Sequence, residues 1–426
     1  AEVTAAENAF AQVGIGTGGS SSGDKYQKNL NPNPGSDFIV ATDAIPNQVY
    51  LAHGNGFATI DVISGTTPKS RFSVTDDGSA IFYVGEDENI HAIQINYSNG
   101  QVTETKVSTS PVWGNVAVSK DGSRIAMVSN AVENKITVYD FNLQQGQTFT
   151  LYNPSYSGSV TGNVLYADAL EWDYSGNYVM YDAYNEIKNQ AGSTINYWDI
   201  GFIRVFDKKK NTFGDGNISK LYSGLPENTS IGNPVFSKNS PYIVAFDYID
   251  EIENTVYLVG GNIETGKEDA ISNQSDLFVP NYSRLDNYII GTVNTNEIHA
   301  FQLASDKISY GGSSTQLFTD ATNGYWFGNG TRTINVATHE PSEKIANWSV
   351  FPNLVNNSVV IKAVNDMGNG VVQIVNSTGN TVRSEELNPL GKGVTQHINV
   401  SDLPAGAYFM RIMSGNNYQT EKIIKQ

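Results

Sequence analysis

Chemistry in this chain has to come from histidines, carboxylates and aromatic rings. Among 426 residues there is no cysteine, which excludes thiol nucleophiles, Cys-based zinc sites and a disulfide framework. The five histidines are His53, His91, His299, His339 and His397, and none stands in a local zinc spacing such as HxxxH. Carboxylates cluster instead, as Glu86, Asp87 and Glu88; Asp182 and Glu186; Asp247, Asp250, Glu251 and Glu253; and Glu297. Gathered on one surface, such groups are the oxygen ligands that calcium takes. Two of them at the right separation could also cleave a glycosidic bond. The plainer reading is a solvated rim that keeps the protein soluble. No D-x-D-x-D-G calcium loop occurs; the acidic clusters still make calcium the one cofactor considered, and no catalytic residue is assigned. The aromatic group lies in two stretches, YNPSYSGSVTGNVLYA (152–167) and AYNEIKNQAGSTINYWDI (183–200), which bring Tyr152, Tyr156, Tyr166, Tyr184, Tyr197 and Trp198. Rings beside Asn and Asp suit a saccharide, whose C–H faces stack on rings while its hydroxyls meet amides and carboxylates. The candidate ligand-binding residues are therefore Tyr156, Tyr184, Tyr197, Trp198, Asp182, Asp247 and Asp250. The alternative is that the rings pack their own loops.

Two glycine motifs near the start carry less. Gly14, Gly16 and Gly19 match GxGxxG, and Gly19, Ser21 and Gly23 match GxSxG. A phosphate-cradling loop or a nucleophile elbow must follow a strand and open a helix. Here a Ser/Gly run leads into Asn and Pro, so residues 1–36 read as a flexible segment.

The elements that would position these residues are strands. From about residue 38 short runs of Val, Ile, Tyr and Phe alternate with Gly, Asn and Asp. They repeat. ENIHAIQI (88–95) returns as NEIHAFQL (296–303), with weaker copies GFATIDV, NKITVYDF, GFIRVFD and NTVYLVG. Each copy follows another strand that often leaves a tight turn, as in DDGSAIFYV and KDGSRIAMVS, where Gly tolerates φ > 0. Equivalent positions Ala58, His91, Thr137, Arg204, Tyr257 and His299 are 33, 46, 67, 53 and 42 residues apart. A period of roughly 40–45 residues with four short strands per unit predicts a β-propeller. Six copies predict six blades, and residues 324–337 either close the ring or open a seventh. His91 and His299 hold one repeat position in distant blades and read as structural; they could converge only by facing the central channel. Both aromatic insertions belong to one blade and one rim, and insertions on a repeat scaffold often mark its working face.

FSVTDDGSAIFYV and VAVSKDGSRIAMVS resemble the repeats of TolB-like propellers over about residues 38–320, although no copy has the Pro before Asp-Gly. The resemblance implies the fold and little of the function. After a polar linker, 338–347, residues 348–426 read as the strands of a small β-sandwich. In GAYFMRI the alternation puts Tyr408, Met410 and Ile412 on one face and Phe409 and Arg411 on the other. Four motifs stand in order here: Phe351-Pro352-Asn353, Ser377-Thr378-Gly379-Asn380-Thr381-Val382, Leu403-Pro404-Ala405-Gly406-Ala407-Tyr408, and Lys422-Ile423-Ile424-Lys425. Leu354 departs from the usual second proline of the first. This segment is similar to the type A C-terminal sorting domain of type IX secretion substrates. The resemblance makes Pro352, Asn353, Gly379, Leu403, Gly406, Tyr408, Lys422 and Lys425 the sorting signal. It implies passage through the periplasm and across the outer membrane, recognition by the system's barrel-shaped shuttle protein, and delivery to the cell surface.

Composition agrees. Net charge is −17, with 43 acidic against 26 basic residues, which disfavours nucleic acid as a partner. No apolar run approaches the ~20 residues that span a bilayer. The start at Ala1 without a basic and apolar leader reads as a mature form. The sequence thus predicts an all-β protein: a flexible segment (1–36), a propeller (37–337), a linker (338–347) and a sorting sandwich (348–426). The expected role is a secreted, surface-delivered binding module for glycan or another surface polymer. A polysaccharide lyase or glycosidase on the same scaffold, and a structural or adhesive surface protein, are the alternatives.

Overall fold

The computed structural model describes residues 25–30, 33–43, 45, 47–154, 162–188, 193–222, 225, 228–330, 348–351, 354–355, 357–363, 366–376, 381–414 and 417–425. They fall into two compact units, one through residue 330 and the other from residue 348.

Among the described residues of the first unit there are six sheets of four main strands, taken here as blades. From inner to outer strand, blade 1 is Ala321–Gly328, Asp37–Asp43, Val49–His53 and Thr59–Ser64; blade 2 is Ser73–Val74, Ala80–Val84, Ile90–Asn96 and Gln101–Lys106. Blade 3 is Trp113–Val118, Arg124–Ser129, Lys135–Asp140 and Gln145–Thr150; blade 4 is Gly162–Trp172, Tyr178–Lys188, Thr194–Arg204 and Ile218–Lys220. Blade 5 is Thr229–Phe236, Ile243–Asp250, Thr255–Asn262 and Lys267–Gln274; blade 6 is Asn281–Tyr282, Tyr288–Val293, Glu297–Leu303 and Tyr310–Phe318. All blade pairings are antiparallel, and each inner strand neighbours the next, round to blade 1. The last strand, Ala321–Gly328, closes the ring by pairing with Asp37–Asp43. The repeated segments read from the sequence are the third strands of blades 2 to 6, whereas GFATIDV runs into the outermost strand of blade 1.

Burial explains the ring. Val, Ile and Phe alternate between the two faces of each sheet, so each blade buries apolar rows against both neighbours. Ile81, Tyr83 and Ile93 pack towards blade 1, while Phe82, Val84 and Ala92 pack towards blade 3. Trp172 is fully buried between blades 3 and 4 and donates its indole N–H to Ala117 O at 3.0 Å. The turns carry the glycines expected of them: Gly78, Gly122 and Gly176 have φ of 71°, 71° and 70°. One expectation needs correction. Residues 1–36 are not uniformly a flexible segment, because Lys25–Gln27 pair antiparallel with Gln101–Thr103 as a fifth, outermost strand of blade 2.

The second unit stacks a three-stranded sheet (Trp348–Phe351, Ser358–Ala363, Thr395–Asn399) on a five-stranded one (Leu354–Val355, Asn417–Lys425, Gly406–Ser414, Gly370–Asn376, Thr381–Leu387). Trp348, Val359, Ile361, Val372, Ile374, Ile398, Met410, Ile412 and Ile423 fill the core. Tyr408, Met410 and Ile412 are buried together as the alternation predicts, with Phe409 and Arg411 on the half-buried face.

Candidate functional site

The site is built on the oversized blade 4. Its first three strands are 11 residues each, longer than any other strand of the ring. The stretch expected as a loop, 183–200, is largely a continuation of the sheet: Tyr178–Lys188 and Thr194–Arg204 stay paired to Lys188↔Thr194. The reason is its residue alternation, in which every second side chain can lie against a neighbour. Register places Tyr166 opposite Tyr184 and Tyr184 opposite Trp198. The three rings form one cluster, with centroids 5.6 Å apart for Tyr166–Tyr184, 5.4 Å for Tyr166–Trp198 and 5.2 Å for Tyr184–Trp198. All three are half-buried. Tyr197 points to the other face, where its hydroxyl accepts from Asn153 Nδ2 at 3.2 Å and Lys220 Nζ lies 5.6 Å from its ring. Tyr156 lies outside the described residues. The structure therefore groups Tyr184 and Trp198 with Tyr166, and separates Tyr197 from them.

The predicted carboxylates do different work. Asp182 is 2% exposed, and its two oxygens accept N–H from Ala169 at 2.8 Å and from Asn233 of blade 5 at 2.7 Å. Asp247 is fully buried and accepts N–H from Phe278 (3.1 Å) and Val279 (3.2 Å) of blade 6, and from Asn233 Nδ2 (2.9 Å). Both are ties between blades, so neither is available as a first-contact ligand group, contrary to the expectation. Asp250, half-buried, caps a turn through the N–H groups of Ile252 and Glu253. Asp87 pairs with Lys106 and His91, and Glu88 with Lys69. Among the described residues no three His, Asp or Glu side chains converge as ion ligands. His91 sits in a third strand, not in the channel. Its ring nitrogens lie 3.0 Å from Asp87 and 3.2 Å from Glu104, and its ring stacks on Tyr83. Burial works against the charge of Glu104, but bonds from His91 and Tyr83 outweigh it and hold the carboxyl at about 2. His53 likewise pairs with Asp61, and His299 with Glu297.

Two channel residues escaped the sequence reading. The inner strand of blade 4 bulges between Ala167 and Leu170, and a bulge re-aims a side chain. Asp168 lies in that bulge, two residues below Tyr166, and keeps solvent access. Its carboxyl bonds to Asp182, and desolvation first and the Asp182 charge second push its pKa up to about 9. The acid pair thus holds a proton at neutral pH, as two adjacent carboxyls must when burial disfavours a second charge. Burial, and then Asp168, raise the Tyr166 hydroxyl too. Desolvation lifts Asp247 to about 7 despite its three donors. Arg71 comes from blade 2 and reaches past blade 3 to Leu170 O at 3.5 Å. Aligning the inner strands puts Arg71 at the place of Asn115 and Asn233, so a repeat-by-repeat comparison of this column would have exposed it.

In the second unit Tyr408 Oη donates to Pro404 O at 2.9 Å, which folds the Leu403–Tyr408 motif onto itself, and Leu403 packs on the core. Gly406 opens its strand opposite Lys425, and Lys422 lies opposite Phe409. Lys425 also flanks Val355 in a parallel pairing. Pro352, Asn353 and Gly379 lie outside the described residues. The family model of the secretion system C-terminal sorting domain matches residues 349–426. Residues 349–426 are a type IX secretion sorting domain. The chain is therefore cargo sent to the cell surface or extracellular space, and among the described residues no helix is long and apolar enough to cross a membrane. The propeller matches the lipoprotein LpqB beta-propeller domain over residues 16–186. None of the curated proteins compared matches the chain. Among solved structures it is similar to TolB from Acinetobacter baumannii (13% identity, 68% of this chain and 66% of that one, TM-score 0.48). It is also similar to an oligogalacturonate lyase from Vibrio parahaemolyticus (12%, 70% and 87%, TM-score 0.35) and to a functionally unknown protein from Desulfotomaculum acetoxidans (12%, 70% and 100%, TM-score 0.42). The function of the propeller has to be argued from its own residues.

Proposed function

We propose that the sorted cargo is a saccharide-binding propeller whose ligand lies against the blade 4 extension. The Tyr166–Tyr184–Trp198 cluster carries this reading. Three half-buried rings 5.2–5.6 Å apart stand side by side on the inner, second and third strands, with Asp168 two residues along the inner strand from Tyr166. They offer an apolar wall for sugar C–H faces with a polar floor for hydroxyls. A glycosidase or lyase is the second reading, favoured by the proton-sharing pair Asp168 and Asp182. Asp182, however, has both oxygens committed to backbone N–H groups, so one acid rather than two faces the channel, and the binding role is preferred.

The test uses the full chain, challenged with soluble and insoluble polysaccharides while retention and released sugars are both recorded. Retention without release is the expected outcome. Trp198→Ala and Tyr184→Ala should each weaken retention at least tenfold, as loss of a stacked ring at a binding hot spot does. Release of sugar that disappears in Asp168→Asn would overturn the binding role in favour of catalysis.

A further inference from the structure

The ring holds a cation, Arg71, that no carboxylate contacts directly among the described residues. Among the described residues Arg71 makes no ion pair, and its one hydrogen bond, to Leu170 O, is at the 3.5 Å limit. Other buried or half-buried cations of the ring are committed: Lys120 to Glu171, Lys220 to Asp199, Arg124 to Asp140, and Arg284 to Asp37. The charged groups within electrostatic reach of Arg71 are Asp168 of blade 4, which bonds to Asp182, and Asp247 of blade 5; Asn115 of blade 3 and Asn233 of blade 5 share its level. None of these acids is a full partner. Asp182 spends both oxygens on backbone N–H groups, and Asp247 spends its own on blade 6 and Asn233. Asp168 keeps its proton, because desolvation and Asp182 outweigh the pull of Arg71. In a protein of net charge −17, a half-buried guanidinium kept from its own acids is an available fork of donors, and such a fork fits oxyanions.

We infer that Arg71 is the anchor for an oxyanion, a carboxylate or a sulfate, carried by the saccharide that packs on Tyr166, Tyr184 and Trp198. The residues descend along one strand: Tyr166 with its ring cluster, then Asp168, then Leu170, whose carbonyl meets Arg71. A sugar stacked on the rings would project its acidic substituent down the channel to the guanidinium. This inference rests on the saccharide-binding reading and names its ligand class.

The experiment titrates the full chain with three matched oligosaccharides: one of uronic acid units, the same oligosaccharide with its carboxyls reduced to alcohols, and a sulfated neutral counterpart. The acidic forms should bind at least tenfold tighter than the reduced form, with affinity falling as salt rises. Arg71→Gln should erase that preference while leaving binding of the reduced form unchanged, and Arg71→Lys should keep part of it. Trp198→Ala should weaken acidic and neutral forms alike. Whether uronate or sulfate gains more identifies the oxyanion. Equal binding of acidic and reduced forms would overturn the anchor while leaving the saccharide reading intact; binding of none would overturn both. Binding instead of a peptide through its C-terminal carboxylate, lost in Arg71→Gln, would overturn the saccharide class. A large fall in the melting temperature of Arg71→Gln would also overturn the proposal, since it would make Arg71 a structural tie.

Discussion

At the scale of single residues, the acids of this ring are mostly mortar. Val279 is β-branched yet has φ of 50°, a conformation that costs about 1–3 kcal/mol and persists only where its surroundings enforce it. Asp247 enforces it by accepting the N–H groups of Phe278 and Val279. Asp247→Asn turns one acceptor into a donor facing those donors, so it should destabilise the propeller by about 1–3 kcal/mol, measured by denaturant unfolding. Acidity follows the same burial. Asp247 and Asp168 are raised to about 7 and about 9, first by desolvation. A raised carboxyl favours the folded state while protonated. Its contribution is complete below the unfolded pKa of ~4 and is lost as pH climbs through the folded value. Asp247 is present in both proteins, so between pH 7.5 and 9.5 the difference comes from Asp168, and the stability of wild type should fall with pH more steeply than that of Asp168→Asn. Parallel curves over that window would contradict the protonated state assigned to Asp168.

At the scale of elements, the strands were legible and the bulges were not. Two-residue alternation and Asp-Gly turns revealed the second and third strands of the blades, because those strands bury apolar rows on both faces. The turn chemistry runs deeper than glycine. Thr75, Ser119, Asp173 and Ser283 occupy one repeat position, and each accepts an N–H from the start of the following strand, of Ala80, Arg124, Tyr178 and Tyr288. Gly78 is the stringent case: at φ 71° an added Cβ would stand 2.5 Å from Gly328 O on the closing strand. Gly78→Ala should cost about 2 kcal/mol or more, read from thermal unfolding, whereas Gly266→Ala, with nothing within 4 Å, pays only for its φ. The candidate site was half legible. Tyr184 and Trp198 drew attention by composition. Asp168 and Arg71 did not, because a bulge and a cross-channel reach leave no periodic trace. Asp182 and Asp247 misled for a related reason: an acid within an apolar strand looks the same in sequence whether it faces solvent or a neighbour's backbone.

At the scale of the molecule, two units divide the labour. The ring is closed by a strand from the far end of its own sequence, and Trp326 on that strand donates its indole N–H to Asp37 at 3.0 Å while stacking on Tyr288. Trp326→Ala should therefore cost about 3–5 kcal/mol and reduce the cooperativity of ring unfolding. The sorting domain has its own core and supplies the export route. Removing residues 349–426 should leave the protein in the periplasm, as cell fractionation would show. Tyr408→Phe, which loses the bond to Pro404 O, should weaken the sandwich by about 1 kcal/mol. The central claim, that the blade 4 extension takes a saccharide, has a built-in reporter. Trp113, Trp172, Trp326 and Trp348 are all buried, and Trp198 alone among the five tryptophans is not. Intrinsic fluorescence of the full chain, titrated with acidic oligosaccharide and probed with acrylamide, thus reads the site directly. The account predicts that ligand shields Trp198 from the quencher and that Trp198→Phe removes the shielding. Quenching unchanged by ligand, or shielding that survives in Trp198→Phe, would contradict it.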